Sequence, residues 1–143
     1  MPNLLSPLER IISMAKFKVI VSDPNGTSKI VELEDARAIP LIGRKIGETL
    51  DGAAVDLPAH KVKITGGSDS DGAPMRGNVH GGVRRNVILS SGPGFKSKKK
   101  GERRRKTVRG DVITDEIVQI NMKITEKPAG AQETKVPQEE VKA

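Results

Sequence analysis

The sequence predicts a mainly β fold: a small barrel-like domain with one short helix, a flexible basic loop and a disordered C-terminal tail. Three observations carry this reading. The apolar residues fall in short runs that alternate with polar ones or are rich in β-branched types. Clusters of Gly, Pro, Asn and Asp punctuate the runs. Helical spacing is sustained nowhere for more than a turn or two. Together they point to a β sandwich or small barrel, and no fixed-period repeat supports a solenoid.

The elements follow in order. Residues 1–13 are read as a mobile extension, because chain ends are seldom tied down and Met14-Ala15-Lys16 looks like a second, more natural start. Phe17 to Ser22 (FKVIVS) is β-rich, Asp23-Pro24-Asn25-Gly26 is turn chemistry, and Lys29 to Leu33 (KIVEL) returns, so residues 17–34 form a hairpin. Residues 36–42 suit one or two helical turns, interrupted by Pro40 and ended by Gly43. Residues 45–51 are irregular or a short strand closed by Gly52. His60 to Thr65 (HKVKIT) alternates polar and apolar, as a half-buried strand does. A Gly-rich loop is expected over 66–82, then a strand over 84–89 (RRNVIL) and a turn at 90–94 (SSGPG). The last strands are expected at 108–113 and 117–124, the second with Val118, Ile120, Met122 and Ile124 on one face. Apolar content then collapses. The β domain is therefore placed at 14–127 and a disordered tail at 128–143.

Composition narrows the function. The chain has 143 residues, 35% of them hydrophobic, which suits one small domain plus tails. Without Cys, disulfides, thiolate zinc sites and cysteine nucleophiles are excluded, and a reducing cytosol fits. No apolar run approaches the ~18–20 residues that span a bilayer, and residues 1–13 lack the basic start of a signal peptide. Phe17 and Phe95 are the only aromatic residues. Readers of single-stranded nucleic acid usually stack bases on aromatic rings. A nucleic-acid partner of this chain would have to be gripped by phosphate charge, hydrogen bonds and shape, which favours folded or double-stranded RNA.

Charge supplies that partner. Residues 96–109 (KSKKKGERRRKTVR) hold nine Lys or Arg against one acid, Glu102, a local charge of +8 on a chain whose net charge is +7. The basicity is a concentrated site, and a block this dense implies a polyanion. It lies between two expected strands, where a nuclear import signal or linker would not sit. Gly101-Glu102 divides it into two lobes. In a strand, Arg103 and Arg105 share one face and Arg104 and Lys106 the other. Arginines there suit bidentate phosphate contacts, whereas Lys98, Lys99 and Lys100 act as point charges. Free of its partner, the run is expected to be mobile through self-repulsion.

Other motifs carry less. Asp69-Ser70-Asp71-Gly72 resembles the start of a calcium loop but lacks the third carboxylate and the final Glu, so a structural loop capped by Asp side chains is the better reading. Gly92-Pro93-Gly94-Phe95-Lys96-Ser97 fails the Walker spacing, because Phe95 stands where Gly must precede Lys. Val108-Arg109-Gly110-Asp111-Val112 resembles the Gly-Asp turn of certain small interlocked barrels, and an ordinary strand corner explains it equally well. His60 and His80, the only histidines, suit donation to backbone or RNA rather than a metal. No nucleophile has a base at sensible spacing, so no catalysis is expected.

Three stretches also resemble a known family. They are residues 64–75 (ITGGSDSDGAPM), 79–85 (VHGGVRR) and 101–110 (GERRRKTVRG), in that order. They look like the most typical segments of the ribosomal protein S6e family of archaeal and eukaryotic small ribosomal subunits. The resemblance covers residues 16–127, the archaeal form being the closer match. The long basic C-terminal helix of the eukaryotic form has no counterpart, and its regulatory phosphorylation is not carried over. The resemblance implies a cytoplasmic, structural constituent of the small subunit, partnered by ribosomal RNA and neighbouring ribosomal proteins. No membrane, small-molecule substrate, metal or cofactor is expected. The expected RNA-binding residues are Arg76, His80, Arg84, Arg85, Lys96, Lys98, Lys99, Lys100, Arg103, Arg104, Arg105, Lys106 and Arg109. The rival readings are a small barrel enzyme or metal-binding domain and a free-standing basic regulator on duplex DNA.

Overall fold

Strands β1 (Lys16–Ser22) and β2 (Ser28–Glu34) pair antiparallel as the expected hairpin. The computed structural model describes residues 15–127, together with Pro7. The extension expected at 1–13 (Pro7 apart) and the tail at 128–143 lie outside the described residues. The hairpin turn works as its residue types require. The Gly26 amide donates to the Asp23 carbonyl at 3.0 Å, the Asn25 amide to the Asp23 carboxylate at 3.1 Å, and Gly26 takes φ +91°. The expected helical segment is two 3-10 turns, Asp35–Arg37 and Ile39–Leu41, with Pro40 inside the second. Then come β3 (Thr49–Asp51), a third 3-10 turn (Gly52–Val55), β4 (Lys61–Asp69), β5 (Arg84–Leu89), β6 (Arg104–Arg109) and β7 (Ile117–Glu126).

Five strands form one sheet in the order β2-β1-β7-β4-β3. The first and last long strands, β1 and β7, lie parallel side by side, and every other pairing is antiparallel. Register slips between β4 and β7 bend the sheet, which curls into a half-barrel. Its concave side holds Phe17, Val19, Val21, Leu33, Val62, Ile64, Ile120 and Met122, closed from the irregular segments by Leu41, Val55 and Ile113. The remaining strands, β5 and β6, pair only with each other, as a two-stranded ribbon.

Three expectations are corrected. Gly66 and Gly67 are not a turn but part of β4, opposite Asn121 and Ile120. Gly67 is needed because a Cβ there would strike the Gln119 carbonyl. The turn comes later, where the Gly72 amide donates to the Asp69 carbonyl at 3.1 Å. The strand expected over 108–113 ends at Arg109 and starts inside the basic run, at Arg104. On β7, Ile117 is buried and Val118 is 46% exposed, because the register slip next to Asp69 pushes Val118 out of the alternation.

The ribbon is tied to the half-barrel twice. At its base, Gly110 and Asp111 pass under residues 79–83. The Gly110 amide donates to the Val83 carbonyl at 2.9 Å and the Asp111 amide to the Val79 carbonyl at 2.8 Å. The Asp111 carboxylate takes the Gly81 amide at 3.0 Å. A Cβ on Gly110 would collide with the Gly81 carbonyl. The chains 74–76 and 109 also run together, through Arg109 N–H to Pro74 at 2.8 Å and Arg76 N–H to Arg109 at 3.0 Å.

The second tie is ionic. Arg84 and Arg109 stand directly opposite each other on the ribbon. Like charges so placed repel. The Asp69 carboxylate, its side chain 0% exposed, lies against both: Arg84 Nη2 is 2.7 Å and Arg109 Nη1 3.8 Å from its Oδ2. Its other oxygen accepts the amides of Asp71 and Ala73, each at 2.9 Å. Arg84 also pairs with Asp71, and Arg109 with Glu116, Thr114 and the Gly82 carbonyl. Burial, the largest influence, pushes the Asp69 carboxyl upward; the Ala73 amide, the Arg84 guanidinium and the Asp71 amide together outweigh it and hold the group below its ordinary 3.8.

A carboxylate whose pKa falls on folding stabilises the fold fully above its unfolded value, and that contribution is lost as pH falls through the folded one. Asp69→Asn should therefore cost roughly 3–5 kcal/mol at neutral pH, the usual loss when a buried ion pair loses one partner. In urea titrations across pH, the gap to the natural protein should close only below 3.8. A gap constant down to acid pH would contradict the account. Gly110→Ala should cost about 3 kcal/mol in the same titration, at the upper end of overpacking penalties. Gly66→Ala, whose Cβ meets nothing within 4 Å, should change stability by less than ~1 kcal/mol.

Candidate nucleic-acid interface

The β5–β6 register decides where each charge points. Leu89 faces Arg104, Ile88 faces Arg105, Val87 faces Lys106, Asn86 faces Thr107, and Arg85 faces Val108. Cross-strand partners share a face. One face therefore carries Arg84, Asn86 and Ile88 with Arg109, Thr107 and Arg105. The other carries Arg85, Val87 and Leu89 with Val108, Lys106 and Arg104. On this second face Leu89 and Val108 are buried. The loop leaving β5 folds back over them: a Cβ on Gly94 would meet Pro74 at 2.9 Å, with Val108 and Leu89 just behind. Apart from the anchored Arg84 and Arg109, the first face is open, with Asn86, Ile88, Arg105 and Thr107 all exposed.

The loop between the strands, residues 90–103, is organised by its single acid. The Glu102 amide donates to the Lys99 carbonyl at 3.2 Å, with Gly101 at φ +82° completing the turn. The Glu102 carboxylate accepts the Lys98 amide at 3.0 Å and Arg104 Nε at 3.1 Å. The Lys98 amide first, and the Arg104 guanidinium after it, hold that carboxyl below its ordinary 4.5 against the opposing push of partial burial. The division of the basic run at Gly101-Glu102, legible in the sequence, is this turn.

The expected site residues separate into two groups. Arg109 is buried, 3% exposed, and wholly engaged within the protein except for its Nε. Arg84 is anchored on Asp69 and Asp71. Arg76 holds the loop, donating to the Pro93 carbonyl at 2.9 Å and to Asn78 at 3.1 Å. Arg104 pairs with Glu102. By contrast, Arg85, Lys96, Lys98, Lys99, Lys100, Arg103, Arg105 and Lys106 are all exposed. None of these eight is ion-paired among the described residues. His80 is 90% exposed, its Nδ1 3.8 Å from an Asp111 oxygen. His60 lies elsewhere, its ring nitrogen 3.2 Å from the Pro58 carbonyl.

Among the described residues around the ribbon, Asp69, Asp71, Glu102 and Glu116 are each bonded to an arginine. The cations beyond them are not screened by neighbouring carboxylates. Among the described residues no group of three His, Cys, Asp or Glu is placed to hold a metal ion, and no helix is long and apolar enough to cross a membrane. The sequence reading missed Asp69 as the anchor of two arginines, Glu102 as the loop's organiser, and the open face of Asn86, Thr107 and Ile88. The signal for the last was the period-two alternation of 84–89 once paired with 104–109.

Comparison with known proteins identifies the family. The family model of ribosomal protein S6e matches residues 17–136. The small ribosomal subunit protein eS6 of Methanocaldococcus jannaschii is 50% identical over 113 residues, covering 79% of this chain and 85% of that protein. The protein of the same name from Methanocella arvoryzae is 48% identical over 119 residues, covering 80% and 84%. That from Nitrosopumilus maritimus is 46% identical over 110 residues, covering 77% and 80%. These relatives are archaeal, as the sequence resemblance implies. A match over most of the chain, at about half identity and across the anchored ribbon, has one meaning: the chain belongs to the ribosomal protein S6e family.

Proposed function

We propose that this protein is a non-enzymatic constituent of the small ribosomal subunit that docks on folded ribosomal RNA through the β5–β6 ribbon and its loop. The observation that carries this reading is the set of eight cations on the ribbon and its loop that are unpaired among the described residues, beside four acids each bonded to an arginine. Such an arrangement is electrostatically unfavourable alone and favourable against phosphates. Arg85, Arg103 and Arg105 offer planar forks for phosphate oxygens, and the loop lysines offer point charges. Arg76, Arg84, Arg104 and Arg109 hold the element in place. His80, exposed on the loop that clasps Gly110, is a peripheral contact. The half-barrel is the rigid support. Neighbouring ribosomal proteins complete the surroundings, and the working location is the cytoplasmic ribosome.

The test is salt dependence. The full chain binding protein-free small-subunit ribosomal RNA through ~6 phosphates should lose affinity with a log–log slope of roughly −4 to −5 against salt. Replacing Lys98, Lys99, Lys100, Arg103, Arg105 and Lys106 by Gln should cut the slope to roughly −1 to −2, the share left to Arg85 and Lys96, and leave the melting temperature unchanged, because none of the six side chains is ion-paired among the described residues. A flat slope for the natural protein would refute electrostatic docking. Equal affinity for duplex DNA would favour the regulator instead.

A further inference from the structure

Ile88 is 63% exposed, the most exposed of the large hydrophobic residues described. It stands on the open face of the ribbon, directly opposite Arg105. One pair along the same face, the Thr107 hydroxyl donates to Asn86 Oδ1 at 2.6 Å. Among the described residues, the Asn86 amide N–H groups meet no protein acceptor. The face therefore presents an apolar knob, a free amide donor and a guanidinium within two successive residue pairs, about 7 Å along the strand. Phosphates alone need neither the knob nor the amide.

From this juxtaposition we infer that the open face of the ribbon reads the shallow groove of an A-form RNA duplex, with Ile88 packed on ribose and base edges and Asn86 donating to a 2′-hydroxyl or base acceptor. The inference rests on the RNA-docking reading and specifies its contact. The deep, narrow major groove of A-form RNA excludes side chains, whereas its wide minor groove displays 2′-hydroxyls and base edges. A two-stranded ribbon is thin enough to lie there. Arg105, and Arg103 beyond the strand end, reach the phosphates that border the groove. The occupant is an RNA and not a protein because the knob sits among unpaired cations, where an apolar protein surface would have to bury their charge.

The experiment measures binding of full-length protein to protein-free small-subunit ribosomal RNA, with Ile88→Ser and Asn86→Ala compared with the natural chain. Competitors are an RNA duplex and a DNA duplex of the same sequence. Ile88→Ser should weaken binding roughly 10- to 100-fold, the equivalent of exposing one buried aliphatic side chain, with the salt slope and melting temperature unchanged. Asn86→Ala should narrow the preference for the RNA over the DNA competitor. If Ile88→Ser binds the bare RNA as well as the natural protein does, the inference falls. If that variant also fails to enter reconstituted subunits, Ile88 faces a protein neighbour. Failure of the natural chain to bind the bare RNA would instead overturn the broader docking reading.

Discussion

One carboxylate holds the two halves of this molecule together. Asp69 ends the long strand β4 and lies with no exposed side-chain surface between two arginines of the ribbon. Burying a charge is costly unless it is fully paired. Here two amides and two guanidinium groups surround it, and it stays ionised. The same contact resolves a conflict within the ribbon, where Arg84 and Arg109 would otherwise repel across adjacent strands. The ribbon's bearing relative to the half-barrel thus depends on ionic geometry at its root, reinforced by Gly110 beneath the 79–83 loop.

The register then explains how so cationic an element is accommodated in two paired strands. Apart from the pair that Asp69 bridges, the cations of β6 face apolar residues of β5: Arg104 faces Leu89, Arg105 faces Ile88 and Lys106 faces Val87. Long basic stems lie well along aliphatic side chains. Within the ribbon no other like-charge pair is forced into direct opposition. The remaining lysines are confined to a loop whose one acid bonds both its backbone and an arginine. Charge is concentrated at the free end, and neutralisation is concentrated at the root.

That division separates arginines which look equivalent in the sequence. Arg84, Arg104 and Arg109 are structural within the fold, and Arg85, Arg103 and Arg105 face solvent. Runs of like residues conceal such differences, because alternation along a strand and pairing across it assign the roles. Lys98, Lys99 and Lys100 differ from them again, since a loop fixes their backbone and leaves their side chains free.

Much of the fold was legible from local chemistry. The 17–34 hairpin follows from β-branched residues around an Asp-Pro-Asn-Gly turn, and the strand at 84–89 and the 3-10 segment at Pro40 follow from equally local signals. The basic run and its division at Gly101 were plain from charge alone. Three features were not, and they share a cause. Gly66 and Gly67 read as a turn because two glycines usually make one; here both lie within β4, and Gly67 admits the backbone of β7. Val118 read as core because alternation was assumed unbroken, and a register slip with β4 displaced it. Asp69 read only as a loop cap, which it is through the Asp71 and Ala73 amides, because its arginine partners are 15 and 40 residues away. Composition and local pattern determined a small β domain with a concentrated cationic element. Only the tertiary structure decided which cations are spent inside and which remain for a partner, because that depends on pairing between distant strands.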